Sequence, residues 1–160
     1  MTPISASIAV ALVATAALLA NAQQQTYSSP DHQFKALVYT TDGESRVSVV
    51  TARGSHLATC AFTSDDGQHG YGVDAAYWTP NSLYFVFRLR SSGGHSPMFA
   101  PIVFWKAKST SFYSLKDFTG DIAFGVDSPD LVKASHYPAM TDATIALHTL
   151  TPADLEEIHR

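Results

Sequence analysis

Cysteine is nearly missing from this chain. Cys60 is the single one, so no disulfide can form within it. Cationic clusters are missing too: ten Lys and Arg stand against fourteen Asp and Glu, for a net charge of −4. Arg88-Leu89-Arg90 lies inside an apolar strand pattern, and no other basic run occurs. Nucleic acid and anionic membrane surfaces are therefore excluded as expected partners. Long apolar runs are absent apart from Ile8–Ala20, which falls short of the about 20 residues a membrane span needs. Catalytic signatures are missing as well. Neither Gly-x-Ser-x-Gly nor Ser-x-x-Lys is present, so an activated serine has no motif to sit in. No His-x-His or His-Glu-x-x-His supplies a local pair of metal ligands, and "SSGGHS" lacks the lysine and helix of a phosphate loop.

What the first residues do contain is a leader pattern. The run Ile8–Ala20 is built from small apolar residues, and Ala20-Asn21-Ala22 supplies the A-x-A sequence that signal peptidase accepts. No Lys or Arg precedes Lys35, so only the terminal amine serves as the basic flank. The pattern predicts residues 1–22 as a signal peptide, cleaved near Ala22/Gln23, and a secreted or periplasmic mature chain. An uncleaved N-terminal anchor is the alternative. Residues 23–160 fit one β-rich domain, long enough to bury about two-thirds of its unfolded surface without a metal or disulfide.

From residue 34 onward, apolar and polar residues alternate with period two. "FKALVY", "RVSVVT" and "HLATCAF" form an expected three-stranded meander, punctuated by Thr41-Asp42-Gly43 and Arg53-Gly54. "VDAAYW", "LYFVFRL" and "IVFW" follow. The middle one is apolar on both faces except at Arg88, which places it inside a sheet. Cys60 reads as a buried small apolar residue in its strand. Ser114–Asp117 predicts one helical turn, while "LVKASHY" and "ATIALHTL" read as two further strands. Thr151-Pro152-Ala153-Asp154 has the composition of a helix start, so the chain is expected to end in a short helix.

Ser29-Pro30-Asp31 and Thr79-Pro80-Asn81 open two similar blocks. Phe34 then aligns with Tyr84, Ala36 with Val86, and "VSVVTARGS" with "IVFWKAKST"; Ser128-Pro129-Asp130 begins a weaker third copy. The stretches "YSSPDHQFKALVY" and "YWTPNSLYFVFRL" resemble the WD40-like repeat of bacterial TolB-type β-propellers, over about residues 27–60 and 77–115. His32 and Ser82 stand where that repeat usually has Gly, and Asn81 stands in place of its Asp. The resemblance implies meander sheets of blade type and no particular activity. Two clear copies and one weak one are too few for a closed ring of at least four blades. The expected fold is all-β: antiparallel meander sheets of blade type, in an open stack of two or three sheets or a sandwich, with a short C-terminal helix.

Two glycine-rich loops, "GQHGYG" and "SSGGHSP", are the place for a site. The candidate ligand-binding residues are His69, Tyr71, Asp74 and His95. Tyr77 and Phe99 flank the same loops and are candidates to line a groove for sugar or peptide. Asp65 and Asp66 are adjacent, so their side chains diverge, as at a solvated loop tip. The reading that follows is an exported non-catalytic binding or structural module. It is expected to be monomeric, without a cofactor or a bound metal, and to meet a protein or small ligand at the loop face or a sheet edge. The alternatives are a metal-assisted hydrolase using the His69 and His95 loops, and a subunit of a larger propeller assembly.

Overall fold

The structure is a computed structural model that describes residues 22–93 and 99–158. The expected leader, His95 and His159 lie outside the described residues. Among the described residues, thirteen strands make three antiparallel sheets, and none of these closes into a barrel.

Sheet I contains β1 (Gln23–Ser28), β2 (Phe34–Thr41), β3 (Glu44–Thr51) and β4 (His56–Ala61), in that spatial order. The expected meander thus gains a fourth strand, β1. The β2–β3 hairpin turns through Asp42 and Gly43, both at positive φ (52° and 83°), the geometry that lets a two-residue turn follow the strand twist. Sheet II contains β5 (Tyr71–Trp78), β6 (Tyr84–Ser91), β7 (Ile102–Lys106) and β8 (Phe112–Leu115). Sheet III contains β9 (Phe118–Thr119), β10 (Gly125–Asp127), β11 (Leu131–His136) and β12 (Thr141–Ala146). The last strand, β13 (Leu155–Ile158), returns to pair with β8 at the edge of sheet II.

Two expectations fail near the C-terminus. Thr151–Asp154 does not start an α-helix. The Thr151 amide and hydroxyl both donate to Asp154 Oδ2 (2.8 and 2.6 Å), but the turn is a single 3₁₀ turn over Pro152–Asp154, followed by β13. Leu155–Ile158 finds the unpaired edge of β8, and that ladder outweighs further helix. Ser114–Asp117 is likewise not a helical turn. Phe112–Leu115 pairs with both β7 and β13, and the chain reverses at Asp117, whose φ is 57°.

Sheet II lies between the other two. One core fills the space between I and II, with Val38, Val47, Val49 and Cys60 against Phe85, Phe87, Val103, Trp105 and Phe112. A second fills the space between II and III, with Tyr84, Val86, Ile102 and Phe104 against Val132, Ala134 and Ile145. This explains why β6 is apolar on both faces: each face meets a different core. Trp78 stacks on Phe34 and meets Trp105 edge-on, with centroids 6.1 Å apart in each pair.

The repeated turns are built alike. Ser29 Oγ accepts from the Phe34 amide and donates to Asp31 Oδ1, which also accepts from the Gln33 amide. Thr79 Oγ1 accepts from the Tyr84 amide and donates to Asn81 Oδ1, which accepts from the Leu83 amide. His32 and Ser82 take the same positive φ (58° and 62°). The turns are also tied in series. The Asp31 amide donates to Ser82 Oγ (3.0 Å), and the Asn81 amide donates to the Pro129 carbonyl (3.2 Å).

Candidate functional site

A buried carboxylate organises the first glycine-rich loop. Glu44, only 3% exposed, opens β3 and accepts from the Ser64 amide (2.7 Å), the Ser64 hydroxyl (2.6 Å), the Gly70 amide (2.7 Å) and the Ser92 hydroxyl (3.1 Å). The Ser64 hydroxyl foremost, with the amides of Ser64 and Gly70, holds its pKa below the ordinary carboxylate value against the opposing effect of burial. A Cβ on Gly70 would sit 2.4 Å from the Phe62 carbonyl and 2.6 Å from the Glu44 carboxyl carbon, so only glycine fits there. The Ser92 amide also donates to the Gly70 carbonyl (3.0 Å). The two glycine-rich loops therefore stand side by side at their described ends.

Their junction forms an open cavity of about 540 Å³, lined by Asp42, Asp66, Gly67, Gln68, His69, Ser92 and Gly93. His69 pairs there with Asp66 through Nδ1. The Gln68 amide, the Ser64 hydroxyl and His69 bring the Asp66 pKa to about 2. Asp65 and Asp66 are both exposed at the loop tip. Among the described residues, no group of three His, Cys, Asp or Glu is placed to hold a metal ion.

Asp74 does not join His69. It sits at a bulge of β5, and its Oδ2 accepts from Arg88 Nη2 and from Arg90 Nε (2.7 Å). Burial pushes its pKa up, but the two guanidiniums prevail and leave it lowered. Arg88 also donates to the Gly120 carbonyl (2.8 Å) and lies 5.6 Å from the Phe124 ring centre. Asp74 is thus a structural anchor for the exception in the apolar pattern of β6.

Tyr71 and Phe99 do converge, in a larger cleft of about 630 Å³. All three sheets contribute. Phe62 follows β4 of sheet I, Tyr71, Leu89, Val103, Ser114 and Glu156 come from sheet II, and Asp117 and Tyr137 from the margins of III. Phe99 and Tyr137 meet edge-on with centroids 5.0 Å apart, and Tyr137 is 44% exposed. The rim carries Lys116, Asp117, Glu156 and Glu157. Tyr77 is elsewhere, tilted against Phe124 at 5.7 Å. The sequence reading missed Phe62 and Tyr137 as cleft residues, because their neighbours there come from other sheets. It missed Glu44 because a carboxylate beside Asp42-Gly43 reads as ordinary turn polarity.

A second His–Asp pair lies at the third turn. Asp130, 2% exposed at its side chain, accepts from or shares a proton with His148 Nδ1 at 3.0 and 3.1 Å. Burial, and then the Asp130 charge, raise the pKa of neighbouring Tyr84. No helix among the described residues is long and apolar enough to cross a membrane. Comparison of the chain with protein-family models, with curated proteins and with solved structures returns no match.

Proposed function

We propose that this chain is an exported, non-catalytic binding module whose ligand occupies the aromatic cleft bordered by Tyr71, Phe99 and Tyr137. The cleft carries the reading. Its volume of about 630 Å³ lies within the roughly 300–1,000 Å³ of ligand pockets, and its apolar floor is edged by a few charged groups. Export rests on the apolar leader and its A-x-A sequence.

The favoured ligand is an extended peptide segment. β13, which supplies Glu156 and Ile158 to the cleft, is an edge strand of sheet II, and an added strand can pair with its open side. Rings at Tyr71, Phe99 and Tyr137 then receive side chains. The test is panning of a random heptapeptide library against the protein, followed by affinity measurement on Tyr137→Ala and Tyr71→Ala. Enriched peptides should bind the parent and lose at least about tenfold on Tyr137→Ala, the scale of one aromatic anchor. Failure to enrich any peptide, or affinities unchanged in both variants, overturns the reading.

A further inference from the structure

The aromatic cleft has an uneven rim. Among its described lining residues, the ammonium of Lys116 stands against the carboxylates of Asp117, Glu156 and Glu157. Lys116 is drawn to groups outside that lining. Its Nζ donates to the Ala153 carbonyl (3.2 Å). Its charge also helps, after the Thr151 hydroxyl and amide, to hold the Asp154 carboxyl below the ordinary carboxylate value. Asp117 and Glu156 are both exposed, and among the described residues neither carboxylate has an ion-pair partner. The rim therefore keeps negative charge that the protein itself does not neutralise.

Backbone pairing sets these two carboxylates beside the rings. The Tyr137 amide donates to the Asp117 carbonyl (2.8 Å), which ties the Asp117 turn to the Tyr137 ring. Glu156 stands opposite Ser114 in the β8–β13 pairing, and the Lys116 amide donates to the Asp154 carbonyl (3.0 Å). That bond fastens the end of β8 to the start of β13, with Asp117 and Glu156 just beyond it. The Phe99 and Tyr137 rings meet edge-on at 67°, and Tyr137 keeps 44% of its surface exposed. An exposed ring face carries the negative side of the ring quadrupole and attracts a cation. Rings and carboxylates thus favour the same sign of charge.

We propose that the peptide held in the cleft is recognised through an arginine side chain, its guanidinium set against the Phe99 and Tyr137 rings and paired with the carboxylates of Asp117 and Glu156. A guanidinium is planar and weakly hydrated, so it stacks on a ring while its N–H fork reaches a carboxylate. The lysine ammonium is a compact, strongly hydrated charge and loses more on leaving water. An acidic side chain meets like charge at the rim and is rejected. This recognition rests on the peptide reading of the cleft and adds the residue that the peptide carries.

The test uses heptapeptides enriched by panning, resynthesised with their arginine kept, changed to citrulline or changed to lysine. Citrulline keeps the shape of arginine and removes its charge. Enriched peptides should share an arginine. The citrulline version should bind the parent at least about tenfold more weakly, the scale of a charge-assisted hydrogen bond, with the lysine version in between. D117N/E156Q should bind the arginine and citrulline versions alike. Asn suits the positive φ of position 117 (57°), and Gln keeps the shape of Glu156 on its strand. Circular dichroism and an unchanged affinity for the citrulline version verify that the variant is folded; if it fails, D117N and E156Q are measured singly, and each should narrow the gap. Peptides that weaken on Tyr137→Ala but tolerate citrulline overturn the arginine assignment and leave the cleft reading standing. Enriched peptides without arginine, lysine versions as tight as arginine, or a gap that persists in D117N/E156Q do the same. Failure to enrich any peptide overturns both.

Discussion

Glu44 carries the largest share of the site's local order on one side chain. Its folded pKa is lowered from the ordinary 4.5, so its contribution to stability is present above that value and is lost as pH falls through the folded value. Asp31 is lowered chiefly by the Ser29 hydroxyl, Asp66 by the Gln68 amide and Asp154 by the Thr151 hydroxyl, and all three act in the same direction. Thermal melts from pH 7 to pH 3 should therefore show stability falling below about pH 4.5, the usual range of carboxylate titration. Glu44→Gln should melt below the parent at pH 7, and the gap between the two should narrow on acidification. A constant gap would show that the carboxylate charge is not what the four donors recognise. Gly70→Ala should also melt below the parent, since its methyl meets the Phe62 backbone and the Glu44 carboxyl group. A melting point equal to the parent's would mean that the approach is looser than described.

At the scale of elements, the repeated turns make the sharpest prediction. Thr79 is fully buried, and its hydroxyl accepts from the Tyr84 amide while donating to Asn81. Thr79→Val should cost about 1–3 kcal/mol in urea unfolding, the range for leaving a buried polar partner unsatisfied. A cost near zero would mean that backbone bonds alone hold the turn. These turns were legible in sequence, because Ser or Thr followed by Pro and Asp or Asn writes the hydrogen-bond pattern locally. Strand β6 was legible for a related reason: apolar residues on both faces require cover on both. The C-terminus was not legible. Thr151 to Asp154 gives the same capping signal to a 3₁₀ turn as to an α-helix, and what converts the following residues to strand is the open edge of β8, a neighbour about forty positions earlier. The cleft was half legible. Tyr71 and Phe99 stand beside the glycine-rich loops, whereas Tyr137 arrives from sheet III through the stacking alone.

For the whole molecule, sheet II is the shared wall of two cores. Phe85, fully buried, contacts the rings of Tyr27, Trp78 and Phe87. Phe85→Ala should cost about 3–5 kcal/mol, the range for emptying a buried aromatic site. Because β6 belongs to both cores, tryptophan fluorescence and far-ultraviolet circular dichroism should report one coincident unfolding transition; separated midpoints would mean that sheet III melts by itself. The same stacking brings the cleft residues together, which makes the cleft a property of the assembled sheets rather than of either loop. The most direct measurement of that claim is an amide-resolved NMR titration of the protein with a heptapeptide enriched by panning. The account predicts shifts concentrated at Tyr71, Phe99, Tyr137 and β13, with the Asp66–His69 turn unmoved. Shifts centred on Asp66–His69 that leave Tyr137 and β13 unmoved would contradict it.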